Sequence, residues 1–263
     1  MKGTVLYEVK DNVALLTVDN PPVNPLSDGV RNGLYESIIR AEEDSAVVGV
    51  VLTGNGRAFI AGADISEFGG NVEGVSLNEV FHKLEQCKKP VVAAINGLAL
   101  GGGLETALCC NYRIIDKNAI VGLPEVNLGL LPGGGGTQRL PRLAGPSEAL
   151  KIMLTGSHVP AQKALNMGIV DGISDNVVEE SIEFIKEKSK SSENHPKVRE
   201  LNEKVLEVRG DKKVLLEGQA LATKLRKGQF APGQIIKCVE TAINIDDFDE
   251  GLKKEGEYFL ECL

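Results

Sequence analysis

The chain has 263 residues, of which 42% are hydrophobic and 25% charged, with a formal net charge of −8 at pH 7. These values predict an ordinary soluble protein with one large domain, or a domain with an appendage, and a sizeable hydrophobic core. The acidic balance argues against nucleic acid or an anionic membrane surface as a partner, because binding to phosphates requires a basic surface.

The sequence shows no segment typical of export or membrane insertion. Its start, MKGTVLYEVKDNVALL, lacks the apolar run of a signal peptide, and no window approaches the ~18 apolar residues of a membrane span. The five cysteines form no CxxC pair, which suits reduced thiols and predicts a cytoplasmic location. The three histidines lie far apart, so we expect neither a metal site nor a Ser–His triad.

The chain opens with two extended segments and a helix. The first 20 residues alternate apolar and polar side chains around Asp11-Asn12, a turn signal, and this pattern predicts a β-hairpin. The segment NPPVNPLS interrupts the alternation. Ser27, at its end, is predicted to cap a helix that runs through DGVRNGLYESIIRAEED.

Buried strands and helices then alternate along the chain. VVGVVLTGNG, residues 47–56, predicts a short buried strand that ends in a turn, and a helix is predicted at about 76–88. The strand VVAAING follows, and TALCCNYRIID combines a helix end with another strand. Strands that recur between helices indicate an α/β architecture with a mostly parallel sheet.

The last third of the chain is predicted to be helical. PSEALKIMLTG and PAQKALNMG each read as a short helix that a proline begins and a glycine ends. The polar stretch SKSSENHPK, residues 189–197, breaks the pattern, and from Val198 onward the sequence is amphipathic and helical. We therefore divide the chain into a core at 1–190 and a C-terminal helical region at 191–263.

A run of three glycines precedes a carboxylate in LALGGGLETAL, residues 98–108. Glycine at a helix entrance leaves backbone N–H groups free to face a ligand, and the helix dipole favours an anion there. Taken alone, the run is better explained by close packing of a helix on a strand. Glu105 itself could be no more than a first-turn carboxylate that the helix dipole favours.

Two other loops share this glycine-rich character. NGRAFIAGADISEF, residues 55–68, places small residues after a buried strand, so this loop and the loop at 98–108 could each direct one N–H to a single oxygen, as in an oxyanion hole. LPGGGGTQRLPRLAG, residues 131–145, could point a helix N-terminus inward or form a flexible turn. We read Arg139 and Arg142 as surface or ion-pair residues. Neither of the first two loops contains GxGxxG or GxxxxGK[ST].

Three segments together resemble the enoyl-CoA hydratase/isomerase (crotonase) superfamily: AFIAGADISEF, KPVVAAINGLALGGGLETALCCNYRI and VGLPEVNLGLLPGGGGTQRLPRLAG. The resemblance covers roughly the first 175 residues and is highly specific. It implies an α/β fold, a spiral of repeated β-β-α units with a helical C-terminal region. NPPVNPLS and the ending FDEGLKKEGEYFLECL are most similar to the hydratase portion of multifunctional fatty-acid β-oxidation enzymes.

The resemblance also implies site residues. Two backbone N–H groups would bind the thioester oxygen, two glutamates would handle water and the α-carbon proton, and a neighbouring loop would contact CoA. These are, in that order, Ala63 and Gly102, Glu105 and Glu125, and Ala61, Asp64 and Ile65, with Gly133 as a helix-start glycine near the active site. Read without the family, Glu125 could be a plain loop acid, and Asp64 and Glu67 are better explained as caps of the next helix.

Enoyl-CoA hydratase is the function that the resemblance implies, because both acids are present. The alternatives are a Δ3–Δ2-enoyl-CoA isomerase, another acyl-CoA-transforming crotonase, and a non-catalytic acyl-CoA-binding protein. No metal or redox cofactor is expected, and CoA enters as part of the substrate. The expected partners are further copies in a trimer or hexamer or, if the chain is a fragment, the dehydrogenase portion of a larger enzyme.

Overall fold

The computed structural model describes residues 3–64, 74–191 and 194–263. Its strands are β1 (Thr4–Lys10), β2 (Val13–Asp19), β3 (Gly49–Gly54), β4 (Ala58–Ile60), β5 (Val91–Ile95), β6 (Leu98–Leu100), β7 (Tyr112–Asp116), β8 (Ile120–Gly122), β9 (Val159–Pro160) and β10 (Gly172–Ser174). Its helices are α1 (Asp28–Glu43), α2 (Leu77–Glu85), α3 (Gly102–Cys109), α4 (Gly136–Ala144), α5 (Pro146–Thr155), α6 (Ala161–Met167), α7 (Val177–Lys188), α8 (Glu203–Leu206), α9 (Lys213–Leu225), α10 (Ala231–Asn244) and α11 (Phe248–Cys262).

The strands form two sheets, and the chain alternates between them. The six-stranded sheet has the order β1-β2-β3-β5-β7-β10, and the four-stranded sheet has the order β4-β6-β8-β9. From β3 to β8, each turn of the chain places one strand in the first sheet and the next strand in the second, as in β3–β4 and β5–β6. All pairings are parallel except β1 with β2 and β8 with β9. This arrangement is the spiral of β-β-α units that the resemblance implies.

The N-terminal predictions are confirmed. β1 and β2 form an antiparallel hairpin in which Lys10 pairs with Val13. Asp11 and Asn12 between them both have positive φ, 51° and 64°, as a tight two-residue hairpin turn requires. Ser27 is the N-cap residue of α1, as predicted, but its side chain makes no capping hydrogen bond. Its Oγ instead accepts a hydrogen bond from Asn20 Nδ2 at 3.1 Å.

The later elements also lie where the sequence places them. The helix predicted at 76–88 is α2, which begins with a capping box between Ser76 and Glu79. α5 and α6 end at Gly156 and Gly168, which have φ of 65° and 78°. From Val198 to the end, the structure contains helices and no strand.

The hydrophobic core lies mainly between the first sheet and the surrounding helices. Cys109 and Cys110 are buried among its apolar residues, and all five cysteines are free thiols. Within the described ranges, no helix is both long enough and apolar enough to cross a bilayer.

Candidate active site

The ends of two adjacent strands bring two small-residue turns together. β4 and β6 pair in parallel, so the turns that follow them lie at the same edge of the second sheet. The turn after β4 contains Ala63, and the turn after β6 leads into α3 at Gly102. A Cβ atom at Gly102 would lie only 3.3 Å from the Ala63 nitrogen. The two amides that the sequence singles out are therefore neighbours.

Both of these amides lack an acceptor within the described chain. Gly102 is the first residue of α3, where a backbone N–H has no partner inside the helix. No hydrogen bond from the Gly102 or Ala63 N–H reaches any acceptor among residues 3–64, 74–191 and 194–263. Both donors are thus available to an acceptor from outside the described chain.

The segment NPPVNPLS holds the Ala63 turn in place. Leu26 N–H donates to Gly62 O at 2.9 Å, and Ala61 N–H donates to Val23 O at 3.1 Å. Asn24 is buried, with Nδ2 donating to Ala58 O at 2.8 Å at the start of β4. From the sequence, this segment was read as a break that ends in a helix cap and carries part of the family resemblance, and its supporting role was missed.

Close packing accounts for part of the glycine run at 101–103. A Cβ at Gly103 would lie 1.9 Å from Ile60 O in β4. Gly101 has φ of 53°, and a Cβ there would lie 2.8 Å from Glu125 Oε1. Gly102, between them, lies beside the Ala63 nitrogen. The close-packing interpretation thus holds for Gly103, and the ligand-binding interpretation of Gly102 stays a prediction.

Glu105 is bound by the N-terminus of a different helix. It is 2% exposed, and its Oε1 accepts hydrogen bonds from Gly134 N and Gly136 N, both at 2.8 Å. These N–H groups lie at the start of α4, so the third glycine loop points a helix N-terminus inward. Burial raises the pKa of Glu105, and the two N–H groups and Arg139 partly offset this rise.

Glu125 lies in a different electrostatic environment. It begins a short 3-10 turn, Glu125–Leu128, and its Oε2 is buried without a hydrogen-bond partner in the described residues. Burial raises its pKa well above the usual carboxyl range, and the charge of Glu105 raises it further. This environment favours the neutral acid and differs from that of a plain loop carboxylate.

The residues predicted to contact CoA lie on or near the same turn. Ala61 and Asp64 flank the Ala63 turn and are partly exposed, whereas Ile65 and Glu67 lie outside the described residues. The next described helix, α2, has Ser76 rather than Asp64 as its N-cap. The contacts of Ala61, Asp64 and Ile65 with CoA stay predictions.

Gly133 lies three residues before the first residue of α4, so the helix-start glycine in the structure is Gly136. A Cβ at Gly133 would lie 2.7 Å from the ring of Phe259 in α11. The predicted place of Gly133 near the active site stays a prediction.

The interpretation of Arg139 and Arg142 as surface residues is wrong. Arg139 is 2% exposed and pairs with Glu85, which is equally buried, at 2.8 Å. Its Nη1 also donates to Gly134 O at 2.8 Å, beside the Glu105 site. Arg142 is buried as well and donates to Gln138 O at 2.7 Å. The ion-pair alternative holds for Arg139.

The described residues contain no group of three or more His, Cys, Asp or Glu side chains that could hold a metal ion. The polar groups that converge are backbone amides and carboxyl groups, which suit an acyl oxygen and a water molecule. Two alternating sheets with such a site define a crotonase-type α/β protein.

This chain belongs to the enoyl-CoA hydratase/isomerase family, whose sequence model matches residues 8–227. The peroxisomal bifunctional enzyme of Danio rerio is 43% identical over 255 residues, which are 95% of this chain and 35% of that enzyme. The fatty acid oxidation complex subunit alpha of Shewanella frigidimarina is 38% identical over 270 residues, 96% of this chain and 38% of that subunit. The chain therefore spans little more than a third of these curated relatives.

A solved enoyl-CoA hydratase from Bacillus anthracis has a similar fold. It superposes with a TM-score of 0.66 at 28% identity, covering 100% of this chain and 91% of that one. The resemblance read from the sequence is thereby confirmed for the family and for the fold.

Proposed function

We propose that this chain is an enoyl-CoA hydratase, which adds water across the 2,3 double bond of a 2-enoyl-CoA thioester in fatty-acid β-oxidation. The observation that carries the proposal is the meeting of two amides that lack acceptors with two glutamates in unequal environments. The names of the relatives, among them a fatty acid oxidation complex subunit, support the same reaction.

The amides of Ala63 and Gly102 would bind the thioester oxygen. Negative charge collects on this oxygen as water attacks the β-carbon and an enolate-like species forms. Fixed N–H donors stabilise this charged species more than the substrate, and one such donor contributes ~2.7–4 kcal/mol to catalysis. No metal ion or redox cofactor is required, because the addition of water transfers no electrons.

The two glutamates would divide the proton transfers. Glu105 accepts two N–H hydrogen bonds, which favour its ionised form, and it takes a proton from water while the water oxygen bonds to the β-carbon. The π electrons move toward the α-carbon and the thioester oxygen. Glu125, held neutral by burial, gives its proton to the α-carbon. Proton exchange with solvent then restores both groups.

The test is the loss of absorbance from crotonyl-CoA on addition of protein. Each of Glu105→Gln and Glu125→Gln is expected to lower kcat by about 10²–10⁴-fold, because each removes one proton transfer. Glu179→Gln, the same change at an exposed position on α7, is the matched control and should leave kcat unchanged. An inactive wild-type protein, or full activity in the double variant, would overturn the proposal.

Δ3–Δ2 isomerisation is the second candidate activity, and the position of Glu125 at the Gly101 turn favours it. In its ionised form, this carboxyl group would take a proton from C2 and return it to C4, while the same amides bind the thioester oxygen. Supplying a 3-enoyl-CoA tests this activity, and it should survive Glu105→Gln if only Glu125 takes part. Binding of acyl-CoA without turnover of either substrate would indicate a non-catalytic binding protein.

Two further proposals concern the location of the protein in the cell and its assembly. The free thiols are the basis for proposing a cytoplasmic location, which cell fractionation tests.

For assembly, we propose either a homo-oligomer, a trimer or a hexamer, or association with the dehydrogenase portion of a larger enzyme. The relatives that are named bifunctional support the second. Light scattering after gel filtration distinguishes a trimer or hexamer from a single chain.

A further inference from the structure

The C-terminal helix α11 places a third buried glutamate against the α4 loop. Glu255 is 1% exposed, and its Oε1 accepts a hydrogen bond from Gly135 N at 2.6 Å. Its Oε2 accepts from Thr137 N at 3.1 Å and also from the Thr137 hydroxyl. Each of these donor residues directly follows, in sequence, a residue whose N–H binds Glu105.

Successive amides of this loop therefore donate alternately to two carboxyl groups. Gly134 and Gly136 donate to Glu105, whereas Gly135 and Thr137 donate to Glu255. The start of α4 is held between the two side chains from opposite sides. A shift of the loop away from Glu255 would move both N–H groups that orient Glu105.

Side-chain packing covers the loop only in part, so the hydrogen bonds contribute to its position. Phe259 packs on Gly133 and Phe81 packs on Gly134, but Gly133, Gly134 and Glu255 also line a cavity of about 230 Å³ between α2, α4 and α11. The helix that carries Glu255 is itself well anchored. On the same face of α11, a Cβ at Gly251 would lie 2.6 Å from Gln138 Oε1, and Phe259 packs on Gly133.

We infer that Glu255 is a positioning residue, which fixes the Gly134–Gly136 amides and through them the orientation of Glu105 toward the attacking water. The inference rests on the proposed hydratase function. Through the contacts of Glu255 with Gly135 and Thr137, it makes α11 part of the active-site scaffold.

 In sequence, Glu255 lies 120 residues from Gly135 and 118 residues from Thr137, and these are the separations that the contacts bridge.

The test compares kcat and KM for crotonyl-CoA hydration in two sets of variants. Glu255→Leu removes all three hydrogen bonds. It should lower kcat by about 10²-fold, since displacing a catalytic group by about 1 Å lowers the rate by this factor. KM should stay near the wild-type value, because the oxyanion amides of Ala63 and Gly102 lie on other loops. Thr137→Val keeps the backbone hydrogen bonds but removes the hydroxyl, which donates to Glu255 and accepts from Gln138 Nε2, and it should lower kcat by about tenfold.

The conservative change Thr137→Ser restores a hydroxyl and should return kcat to the wild-type value. Glu257→Gln is the control on α11, because Glu257 pairs with Lys254 and lies outside this loop. If Glu255→Leu does not fold, the two Thr137 variants decide the question. If the wild-type protein shows no turnover, the proposed function and this role are both refuted. If the wild type is active, the role alone is refuted when folded Thr137→Val keeps full kcat or when Thr137→Ser fails to restore kcat.

Discussion

Gly103→Ala perturbs the contact between α3 and β4 that brings the Ala63 and Gly102 amides together. The added Cβ would lie 1.9 Å from Ile60 O and 2.6 Å from Ile60 C, and ordinary contacts begin at 3.4 Å. The obstacle is backbone at the buried end of β4, so α3 and β4 must separate by about 1.5 Å. Overpacking of this kind costs ~1–3 kcal/mol and occasionally more. We expect a loss at the upper end of that range.

Activity should fall together with stability. A loss of about 3 kcal/mol in a chain of this size lowers the thermal midpoint by about 6–12 °C. Movement of α3 also carries the Gly102 N–H away from that of Ala63, and a displacement of about 1 Å costs ~10²-fold in rate. Thermal unfolding followed by circular dichroism measures the first effect, and crotonyl-CoA hydration below the unfolding transition measures the second.

A matched glycine provides the control for this prediction. Gly233 is exposed in α10, and a Cβ there would meet no atom within 4 Å. Gly233→Ala should leave kcat unchanged and stabilise the protein by about 0.5–1 kcal/mol, because alanine loses less backbone entropy in a helix. A Gly103→Ala protein with the wild-type midpoint and kcat would refute the reasoning.

Three further predictions concern buried charges. Glu125→Met removes the unpartnered Oε2 and should raise the free energy of unfolding by about 1–3 kcal/mol while turnover is lost; a lower unfolding midpoint would contradict this. Burial raises the pKa of Glu255 to about 8, so between the ordinary carboxyl pKa and pH 8 the folded state binds more protons than the unfolded state. Stability should therefore rise as the pH falls from about 8 to about 5, more steeply in the wild type than in Glu255→Gln, and equal slopes would count against it. Arg139→Met leaves Glu85 buried without its close partner and should cost about 3–5 kcal/mol, whereas the double change to Met at both positions should cost less, as denaturant titration can show.

Local signals in the sequence predicted the elements that depend on neighbouring residues. The turn at Asp11-Asn12, the N-cap position of Ser27 and the glycine stops of α5 and α6 each involve a few adjacent positions. The second sheet was not predicted from periodicity, because β4, β6 and β8 have three residues each and show no alternation over so short a length. Only the family resemblance implied the β-β-α repeat.

The partners of the buried charges could not be read from the sequence. Glu105 meets amides that are 29 and 31 residues away, and Arg139 meets Glu85 across 54 residues. An arginine in a polar-looking helix is usually exposed, so nothing local marked Arg139 as buried. Glu255 lies in a charged stretch of α11, where one acid does not stand out from its exposed neighbours.

The unequal supply of hydrogen bonds explains how similar carboxyl groups can perform opposite tasks. Arg139 is already paired with Glu85, so the three glutamates near the α4 loop depend largely on backbone donors for stabilisation of their charge. Glu105 and Glu255 each accept two backbone N–H groups, whereas Glu125 Oε2 accepts none from the described residues. A proton shared among these groups therefore resides preferentially on Glu125, because its charged form gains least from the surroundings. Ionisation of Glu105 in turn strengthens this preference, since its charge raises the pKa of Glu125.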